Sequence, residues 1–307
     1  MEFVRNISQL HSHQQNCVAT IGNFDGVHLG HQTILRQVAT RARDLHLATM
    51  VIIFEPQPQE FFSPTMAPPR LTRLREKLIT MRHYEVKRVL RLAFNTKFAA
   101  FSEKEFIQKV LVNGLKVRHL VVGDDFHFAQ GRAGNFVTLQ QAGIQYGFTV
   151  ESQNTFILGG KRVSSTRVRQ VLQRGDMQQA KELLGHPYTL CGRVSYGQQL
   201  GRNIGFPTAN IFLHRQASPI TGVFSVNLRG VSTQPLAGIA NLGTRPTVNG
   251  KQLLLEVHIF DFNQNIYGRY VEVEFLHKIR DEQRFNSLDA LQKQIELDSQ
   301  LARKLLA

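Results

Sequence analysis

The stretch Val18-Ala19-Thr20-Ile21-Gly22-Asn23-Phe24-Asp25-Gly26-Val27-His28-Leu29-Gly30-His31 decides the fold class of the first half of the chain. Its first four residues are a short run of the buried-strand type that ends at Gly22. After the glycine-rich turn, apolar residues recur at helical spacing, at Ile34, Val38, Ala42 and Leu45. A strand, a glycine turn and a helix in this order predict a parallel α/β sheet, with the ligand at the carboxyl end of the strand.

The alternation of strands and helices continues to about residue 123. Strand-like runs follow at Met50–Phe54, Val86–Leu92 and His119–Val122. A helical pattern over Leu71–Met81 separates the first two, and a capping box at Ser102–Glu105 opens a helix before the third. The first half is therefore predicted to be one α/β domain.

The second half changes character after Gly185-His186-Pro187. Short β-like segments then dominate, at Thr189–Val194, Val223–Leu228, Leu236–Ala240, Leu253–Phe260 and Tyr270–Phe275. Ser287 is a candidate cap of a terminal helix that turns Leu288, Leu291 and Ile295 inward. Strand runs with one helix predict a small barrel. We place the two domains at 1–184 and 185–307.

The composition excludes several classes of protein. The chain has 307 residues, 42% of them hydrophobic, which is an ordinary globular composition. No apolar run approaches the ~20 residues of a membrane helix, and the N-terminus lacks a signal-peptide pattern. Cys17 and Cys191 are too few for a disulfide scaffold. We therefore expect a cytoplasmic protein that does not bind membranes.

The net charge of +14 is compatible with a nucleic-acid binder or with an enzyme for anionic small molecules. Basic residues are scattered, with no run of five and no zinc-finger or RNP-type motif. The charge pattern therefore favours small anionic substrates and no nucleic acid.

The glycine-rich turn has the properties of a phosphate site. Glycines let the backbone close on a phosphate, and a helix N-terminus offers free N–H groups and a positive dipole. His28 and His31, three apart in the first helical turn, could both donate to a phosphate that gains charge in a transition state. The alternative is a turn with two surface histidines; the placement after the first strand favours the site.

A second polar segment is Val163-Ser164-Ser165-Thr166-Arg167-Val168-Arg169. A serine or threonine cap is the simplest interpretation. Two arginines at a helix start oppose the helix dipole, and a bound polyphosphate would remove that conflict. No Walker-type loop is present, so a P-loop NTPase is disfavoured.

The second half has its own oxygen-rich segment, Pro207-Thr208-Ala209-Asn210. On a strand, Thr208 and Asn210 would share one face, and such hard oxygens suit Mg²⁺ held largely by substrate phosphates. The alternative is a turn after Pro207. Glu256 lies in an apolar run and is either on an exposed strand face or in a site, while His258 on its face is either a hydrogen-bond partner or surface.

Together these residues resemble the bacterial bifunctional riboflavin kinase/FAD synthetase family. The resemblance covers nearly the whole chain, and it includes Phe54–Pro58, Gly123–Phe126, Gly201–Asn210, Asn241–Thr247, Leu255–His258 and Arg280–Phe285. The histidine and Ser-Ser-Thr pieces indicate only the wider nucleotidyltransferase superfamily. The Pro-Thr-Ala-Asn segment with the downstream glutamate is specific to the flavokinase module. Another nucleotidyltransferase with an unrelated barrel would leave Pro207–Asn210 and Glu256 unexplained. A basic RNA-binding barrel protein would instead bind nucleic acid in a salt-sensitive way and show no turnover.

The resemblance implies an N-terminal Rossmann-like nucleotidyltransferase domain and a C-terminal small Greek-key β-barrel flavokinase domain with a terminal helix. The barrel would phosphorylate riboflavin with ATP to FMN, and the N-terminal domain would join FMN to AMP from a second ATP, giving FAD and pyrophosphate. Mg²⁺ is the implied cofactor, and riboflavin, FMN and ATP are the implied partners.

The resemblance also implies roles for individual residues. The implied ATP-site residues are Gly22, Phe24, Asp25, Gly26, His28, His31, Ser165, Thr166 and Arg169 in the first domain and Gly201, Gly205, Thr208 and Asn210 in the kinase. The implied flavin-site residues are Pro56, Pro58, Phe62, Asp125, Phe128, Arg280 and Phe285. Thr208 and Asn210 would hold the metal, Glu256 would be the general base, and the two histidines would act on the phosphates. Ala129 departs from the family glycine and would strain its loop if that position needs a positive φ.

Overall fold

The computed structural model describes residues 1–197, 205–247 and 250–307 of the chain. Two compact units divide them: Met1–Pro68 with Arg73–Ser164, and Pro69–Thr72 with Ser165–Ala307. Among the described residues, no helix is both long and apolar enough to cross a membrane.

The first unit contains a six-stranded sheet in which all paired strands are parallel. Its strands are β1 (Glu2–Val4), β2 (Cys17–Ile21), β3 (Ala48–Glu55), β4 (Arg88–Ala93), β5 (His119–Gly123) and β6 (Thr149–Gln153). Their order is β1-β4-β3-β2-β5-β6, and every pair is parallel. β2 therefore lies in the interior of the sheet, and the loop that follows it opens at the carboxyl edge.

Both faces of this sheet are covered, which explains its continuous apolar runs. Ala19, Ile21 and Ile52 belong to one hydrophobic cluster, and Val51 and Ile53 to another. The helices of this unit are α1 (Leu29–Asp44), α2 (Pro58–Phe62), α3 (Leu74–Arg82), α4 (Thr96–Ala99), α5 (Glu103–Phe106) and α6 (Phe136–Tyr146). The predicted parallel α/β fold is confirmed.

Local differences from the predictions have simple causes. Leu71 precedes α3 instead of lying in it, and the helix from the Ser102 capping box continues past α5 as a π-helix over Ile107–Val112. β1 and β6 were not predicted, because a three-residue strand and a half-exposed one show little hydrophobic pattern. A short hairpin, β7 (Ile157–Leu158) and β8 (Lys161–Arg162), completes the unit.

The second unit contains the predicted barrel, which is closed and antiparallel. Its strands are β9 (Tyr188–Ser195), β10 (Ala209–Phe212), β11 (Gly222–Arg229), β12 (Leu236–Thr247), β13 (Gly250–Ile259) and β14 (Tyr270–Arg280), in the order β10-β13-β12-β11-β14-β9. The Thr208–Asn210 segment, for which a strand and a turn were both considered above, leads into β10. In β14, buried Val271, Val273 and Phe275 alternate with half-buried Glu272 and Glu274.

Among the described residues of this unit, three helices accompany the barrel: α7 (Ser165–Gln173), α8 (Met177–Leu184) and α9 (Leu288–Leu306). Ser287 caps α9 as predicted, because its side chain accepts from the backbone N–H of Ala290. Leu288, which was expected to turn inward, is instead 65% exposed. α8 packs on β9 and β14. In the turn before α8, a Cβ at Gly175 would lie 2.3 Å from the Lys278 side chain. The compact units thus group α7 and α8 with the barrel, while the boundary at 184/185 stays a prediction about where the two activities separate.

Candidate functional site

The loop after β2 reverses direction through an uncommon backbone. Phe24 and Gly26 have φ values of 48° and 81°, in the left-handed region that favours glycine. Gly22 allows the Phe24 ring to approach, since a Cβ there would be 3.2 Å from a ring carbon. Phe24, Asp25 and Gly26 are buried. The glycine-rich sequence is thus used to make a tight, buried turn at the carboxyl edge of the sheet.

The two histidines lie together at the start of α1. His28 is the N-cap residue, and its Nδ1 accepts from the backbone N–H of His31 at 3.4 Å. The two imidazole rings stack with centroids 3.7 Å apart, and Phe24 lies 5.0 Å from the His31 ring. His28 is 6% exposed, so the alternative of two surface histidines does not fit it. The predicted pairing of the histidines on one face is confirmed.

Two polar atoms of this loop are buried without a hydrogen-bond partner: Oδ1 of Asn23 and Nδ1 of His31. Buried polar atoms are normally satisfied, and exceptions mark places where a ligand can complete the set. Burial lowers the pKa of His31 well below its usual value, and the neighbouring His28, Lys77 and Arg162 lower it further. His31 is therefore a neutral imidazole in the free protein.

The segment after β3 forms an aromatic surface. Pro58 opens α2, and Phe62 at its end is 65% exposed. The rings of Phe61, Phe62 and Phe94 contact one another edge to face, with centroids 5.2–5.6 Å apart. Phe62 therefore lies on an exposed apolar surface that can contact a planar ring. Pro56 and Pro58 are its neighbours in the chain.

The loop after β5 holds two of the expected flavin-site residues in different environments. Asp125 is exposed and accepts a hydrogen bond from Arg162 at 2.6 Å. Phe128 is buried at 6% exposure and packs on Phe106, with ring centroids 5.1 Å apart. The Phe128 ring belongs to the core, so its flavin contact stays a prediction.

Ala129, which departs from the family glycine, has a φ of 66° and a ψ of −179°. This region of backbone space is essentially restricted to glycine. The position does require a positive φ, so the strain expected from the sequence is present in the loop.

The expected ATP-site residues of the Ser-Ser-Thr segment begin α7, in the second compact unit. Arg169 donates from Nε to the carbonyl of Pro69 at 2.7 Å, which joins α7 to the short segment Pro69–Thr72. Ser165 and Thr166 are the first two residues of the helix. Their roles toward ATP stay predictions.

In the barrel, strand register brings Asn210 and Glu256 together. Asn210 on β10 pairs directly with Glu256 on β13, and Glu256 pairs on its other side with Asn241 on β12. Directly opposite residues share a face with Cβ atoms about 5 Å apart. Glu256 is half-buried, so the face is neither core nor fully solvated. The Glu256 carboxylate therefore lies between two amide side chains on a half-buried face, and its role as a site residue stays a prediction.

The Thr208 and Asn210 segment is positioned by the neighbouring strand. β10 starts at Ala209, so Thr208 lies just before the strand and not on it. A ring nitrogen of His258 hydrogen-bonds the Pro207 carbonyl at 2.9 Å, so His258 is a hydrogen-bond partner. Gly205 has a φ of 85°, which requires glycine. The expected ATP-site residue Gly201 lies outside the described residues.

The last expected pair, Arg280 and Phe285, is also in contact. The Arg280 guanidinium lies 5.6 Å from the Phe285 ring centroid, within cation–π range. It donates from Nε to Asp298 of α9 at 2.8 Å and from a terminal nitrogen to the carbonyl of Asp281 at 2.9 Å. Arg280 therefore ties the end of β14, the loop that follows and the terminal helix together.

Sequence reasoning did not select Asn241 or Gln57 as site residues. Asn241 opens the quoted Asn241–Thr247 motif, but only strand pairing places it beside Glu256. Gln57 lies between the two prolines and has a buried Nε2 without a hydrogen-bond partner. Its position inside the quoted Phe54–Pro58 motif was the signal that could have identified it.

Two family models match the chain in the order of the two units. The FAD synthetase model matches residues 10–167, and the riboflavin kinase model matches residues 184–306. The match to the second begins where α8 ends.

Curated relatives match over nearly the whole length. The bifunctional riboflavin kinase/FMN adenylyltransferase of Escherichia coli strain K12 is 50% identical over 99% of this chain and 97% of its own. Proteins of the same name from Haemophilus influenzae and Pseudomonas fluorescens are 50% and 49% identical, over 99% and 100% of this chain and 98% of each relative.

Among solved structures, a protein from Streptococcus pneumoniae described as a macrolide-efflux protein covers 99% of both chains, with a TM-score of 0.83 and 29% identity. That name describes the other protein, and the likeness supports the fold. With both family models matched in order and half of all residues identical over nearly the full length, this chain belongs to the bifunctional riboflavin kinase/FMN adenylyltransferase family.

Proposed function

We propose that the barrel transfers the γ-phosphate of ATP to riboflavin, giving FMN, and that the N-terminal unit joins FMN to AMP from a second ATP, giving FAD and pyrophosphate. The observation that carries this proposal is the presence of two separate groups of reactive side chains, one in each unit. Stacked imidazoles lie at a helix start in the first, and a carboxylate lies between two amides in the second.

In FAD formation, a phosphate oxygen of FMN attacks the α-phosphorus of ATP, and the bond from that phosphorus to the bridging oxygen of pyrophosphate breaks. His28 and His31 would donate N–H groups to phosphate oxygens as negative charge moves onto pyrophosphate. His28 and the Nδ1 atom of His31 are buried, which strengthens such hydrogen bonds because competing water is excluded. Gly22, Phe24, Asp25 and Gly26 would shape the cradle. The family resemblance also assigns Ser165, Thr166 and Arg169 to ATP binding.

In FMN formation, the 5′-hydroxyl oxygen of riboflavin attacks the γ-phosphorus of ATP, and ADP leaves. Glu256 would accept the hydroxyl proton, and the strands on both sides of β13 hold its backbone in place. His258 would act indirectly, because its hydrogen bond to the Pro207 carbonyl positions the segment that carries Thr208 and Asn210.

The donor set of the barrel fits Mg²⁺. The hydroxyl of Thr208 and the amide oxygen of Asn210 are hard neutral ligands, and Nδ2 of Asn210 lies 3.5 Å from the Thr208 carbonyl, which leaves Oδ1 as the atom for a cation. When bound, Mg²⁺ would neutralise charge on the ATP phosphates. Few protein ligands are needed, because substrate phosphates and water supply the rest.

Each unit would have its own flavin site. FMN would lie against the exposed aromatic surface of the first unit, and riboflavin would lie near the Arg280–Phe285 pair of the second. Pro56, Pro58 and Phe62 would offer apolar contacts to the isoalloxazine ring of FMN, and Asp125 would offer a carboxylate to the edge of that ring. Phe128 would act by packing its loop. The anionic substrates account for the charge of +14 without a nucleic-acid partner, and the ATP demand of both steps fits a cytoplasmic location.

The direct test is an assay of the purified chain with riboflavin, ATP and Mg²⁺, with FMN and FAD resolved by chromatography. We expect FMN to appear first and FAD to follow. Chelation of the metal should stop both products, and added Mg²⁺ should restore them. Formation of FMN at an unchanged rate in the chelator would contradict the metal assignment, and absence of both products under all conditions would contradict the proposed function.

A further inference from the structure

Lys77 is a fully buried lysine that none of the proposed steps uses. It lies in α3, and 0% of it is exposed. Lysine is almost never fully buried unless its ammonium group has partners, because desolvation of a charge is costly. A position of this kind needs a reason beyond packing.

The ammonium group of Lys77 points to the glycine-rich loop after β2, which is the candidate phosphate site. Nζ of Lys77 donates to the backbone carbonyl of Asn23 at 2.5 Å. Asn23 follows Gly22 and precedes Phe24, Gly26 and Val27, which all have a positive φ. A charged hydrogen bond to a backbone carbonyl at this point holds the turn in a conformation that its own backbone does not favour.

Apolar packing joins the same two elements. Phe24 and Val27 of the loop and Met81 of α3 belong to one buried cluster. Lys77 lies four residues before Met81 and three after Leu74, on the helix face that turns inward. The helix therefore contacts the loop through the Lys77 hydrogen bond and through apolar packing of Met81. Of these two contacts, only the hydrogen bond is directional.

The cation also acts on the histidines. Lys77 is one of the charges that lower the pKa of His31, together with His28 and Arg162, after the larger effect of burial. Its ammonium is thus within electrostatic reach of the imidazole that would contact phosphate. A fixed positive charge near the His31 imidazole favours binding of an anion in the loop.

We propose that Lys77 is a positioning residue for FAD synthesis: from α3 it holds the Asn23 carbonyl and so fixes the loop that carries His28 and His31. The inference rests on the proposed role of that loop. It assigns no contact between Lys77 and the substrate.

The test compares Lys77→Met, which removes donor and charge at similar length, with Lys77→Gln, which keeps a neutral N–H donor. Lys109→Met is the matched control, since Lys109 forms an exposed ion pair with Glu105 in the same unit. We expect Lys77→Met to lower kcat/KM for FMN adenylylation at least tenfold, with partial recovery in Lys77→Gln. Riboflavin phosphorylation by the same chains should stay within twofold of wild type.

A spectroscopic readout separates positioning from general stability. In NMR titrations of the imidazole signals, the pKa of His31 should rise in both Lys77 variants, because a neighbouring cation is gone, and should not change in Lys109→Met. FAD formation by Lys77→Met within twofold of the control would overturn the proposal, and so would an unchanged His31 titration.

Folding is checked by thermal unfolding of each variant. If Lys77→Met unfolds the first unit, the activity of Lys77→Gln tests the positioning role instead. Unfolding of both variants would show that Lys77 is needed for folding and would overturn its positioning role. If variants of His28 and His31 keep full FAD formation, the proposed role of the loop fails first. If those variants lose it and the Lys77 variants do not, the failure belongs to this inference alone.

Discussion

The imidazoles of the first unit and the carboxylate of the barrel are held in place by different means. His28 and His31 begin a helix after a loop with left-handed residues, and buried side chains and Lys77 surround that loop. Glu256 lies in the middle of β13, half-buried, with paired strands on both sides. The first arrangement depends on tertiary packing around an unfavourable backbone, and the second depends on strand register.

This difference determines how each site should respond to change. A register-held side chain keeps its position when its own chemistry is altered, so an isosteric substitution isolates the chemical role. A loop-held pair is coupled to its supports, and changes at a distance reach the site through the backbone.

The largest effect should come from Glu256→Gln, which keeps shape and polarity but cannot accept the proton. We expect riboflavin phosphorylation to fall by at least ~10²-fold, within the ~10²–10⁴ of a general base, and conversion of supplied FMN to FAD to stay normal. Glu272→Gln, on a half-buried glutamate of β14, is the control for the barrel. Wild-type FMN output would contradict the assignment of Glu256, and loss of both activities would indicate misfolding.

The mirror experiment uses His28→Ala and His31→Ala. Each should reduce FAD formation by ~10²–10³-fold, the usual cost of one preorganised donor, while FMN accumulates from riboflavin. His83→Ala, at the end of α3, removes an exposed histidine and should have no such effect. Normal FAD output from the double variant would remove the histidines from the mechanism.

The boundary between the activities is tested by two fragments, 185–307 and 165–307. We expect both to phosphorylate riboflavin, since the barrel has its own core. The shorter one should melt lower, because it loses the packing of α8, including buried Leu183 and Leu184, and full burial of each such side chain stabilises by about 2 kcal/mol. Thermal unfolding measures the difference. A folded 185–307 fragment without kinase activity would place essential residues before 185.

The pH dependence of stability should differ between the units. The pKa of His31 is lowered in the folded chain, so below about pH 6.5 the unfolded state binds a proton that the folded state does not. Unfolding free energy of the first unit should then decrease as pH falls, by up to about 1.4 kcal/mol per pH unit from His31. Burial also lowers the pKa of His119, so this residue makes the unfolding free energy decrease further as the pH falls.

Denaturant unfolding at pH 7.5, 6 and 5 measures this effect, and His31→Gln should reduce the slope. An equal slope in His31→Gln and wild type would contradict the neutral, buried imidazole.

The smallest expected effect is at Ala129, whose φ of 66° suits glycine. Ala129→Gly should stabilise the chain by about 1 kcal/mol. It relieves backbone strain of order 1–3 kcal/mol, and this gain is partly offset because glycine loses more conformational entropy on folding than alanine. Ala133→Gly, at a helical φ of −65°, is the matched control and should destabilise. Thermal unfolding of both variants is the measurement; destabilisation by Ala129→Gly would show that the loop is not strained there.

Much of the fold followed from local pattern. The strand pattern at Val18–Ile21 and the helical spacing from Ile34 predicted the first β–α unit, since burial on both faces makes a strand uniformly apolar. The capping role of Ser287 also followed from local chemistry, because a cap is satisfied within three residues. β1 was missed, because a segment of three residues is too short to show a period.

The site divides in the same way. His28 and His31 could be paired from spacing alone, because neighbours one helical turn apart face the same direction. Glu256 could not be placed by its own apolar neighbours. It was assigned to a polar face only when register set it beside Asn210 and Asn241, which are 46 and 15 residues away in the chain.

The sequence by itself determined the order of the two domains, the glycine turn and the residue types available for phosphate and proton chemistry. Only the tertiary structure decided that Lys77 reaches the Asn23 carbonyl and that His258 holds the Pro207 carbonyl. The physical reason is the range of the interactions. Turns, caps and helix faces are set by residues within one or two turns, whereas cross-strand pairs and buried ion contacts depend on which distant segments the packing of the core brings together.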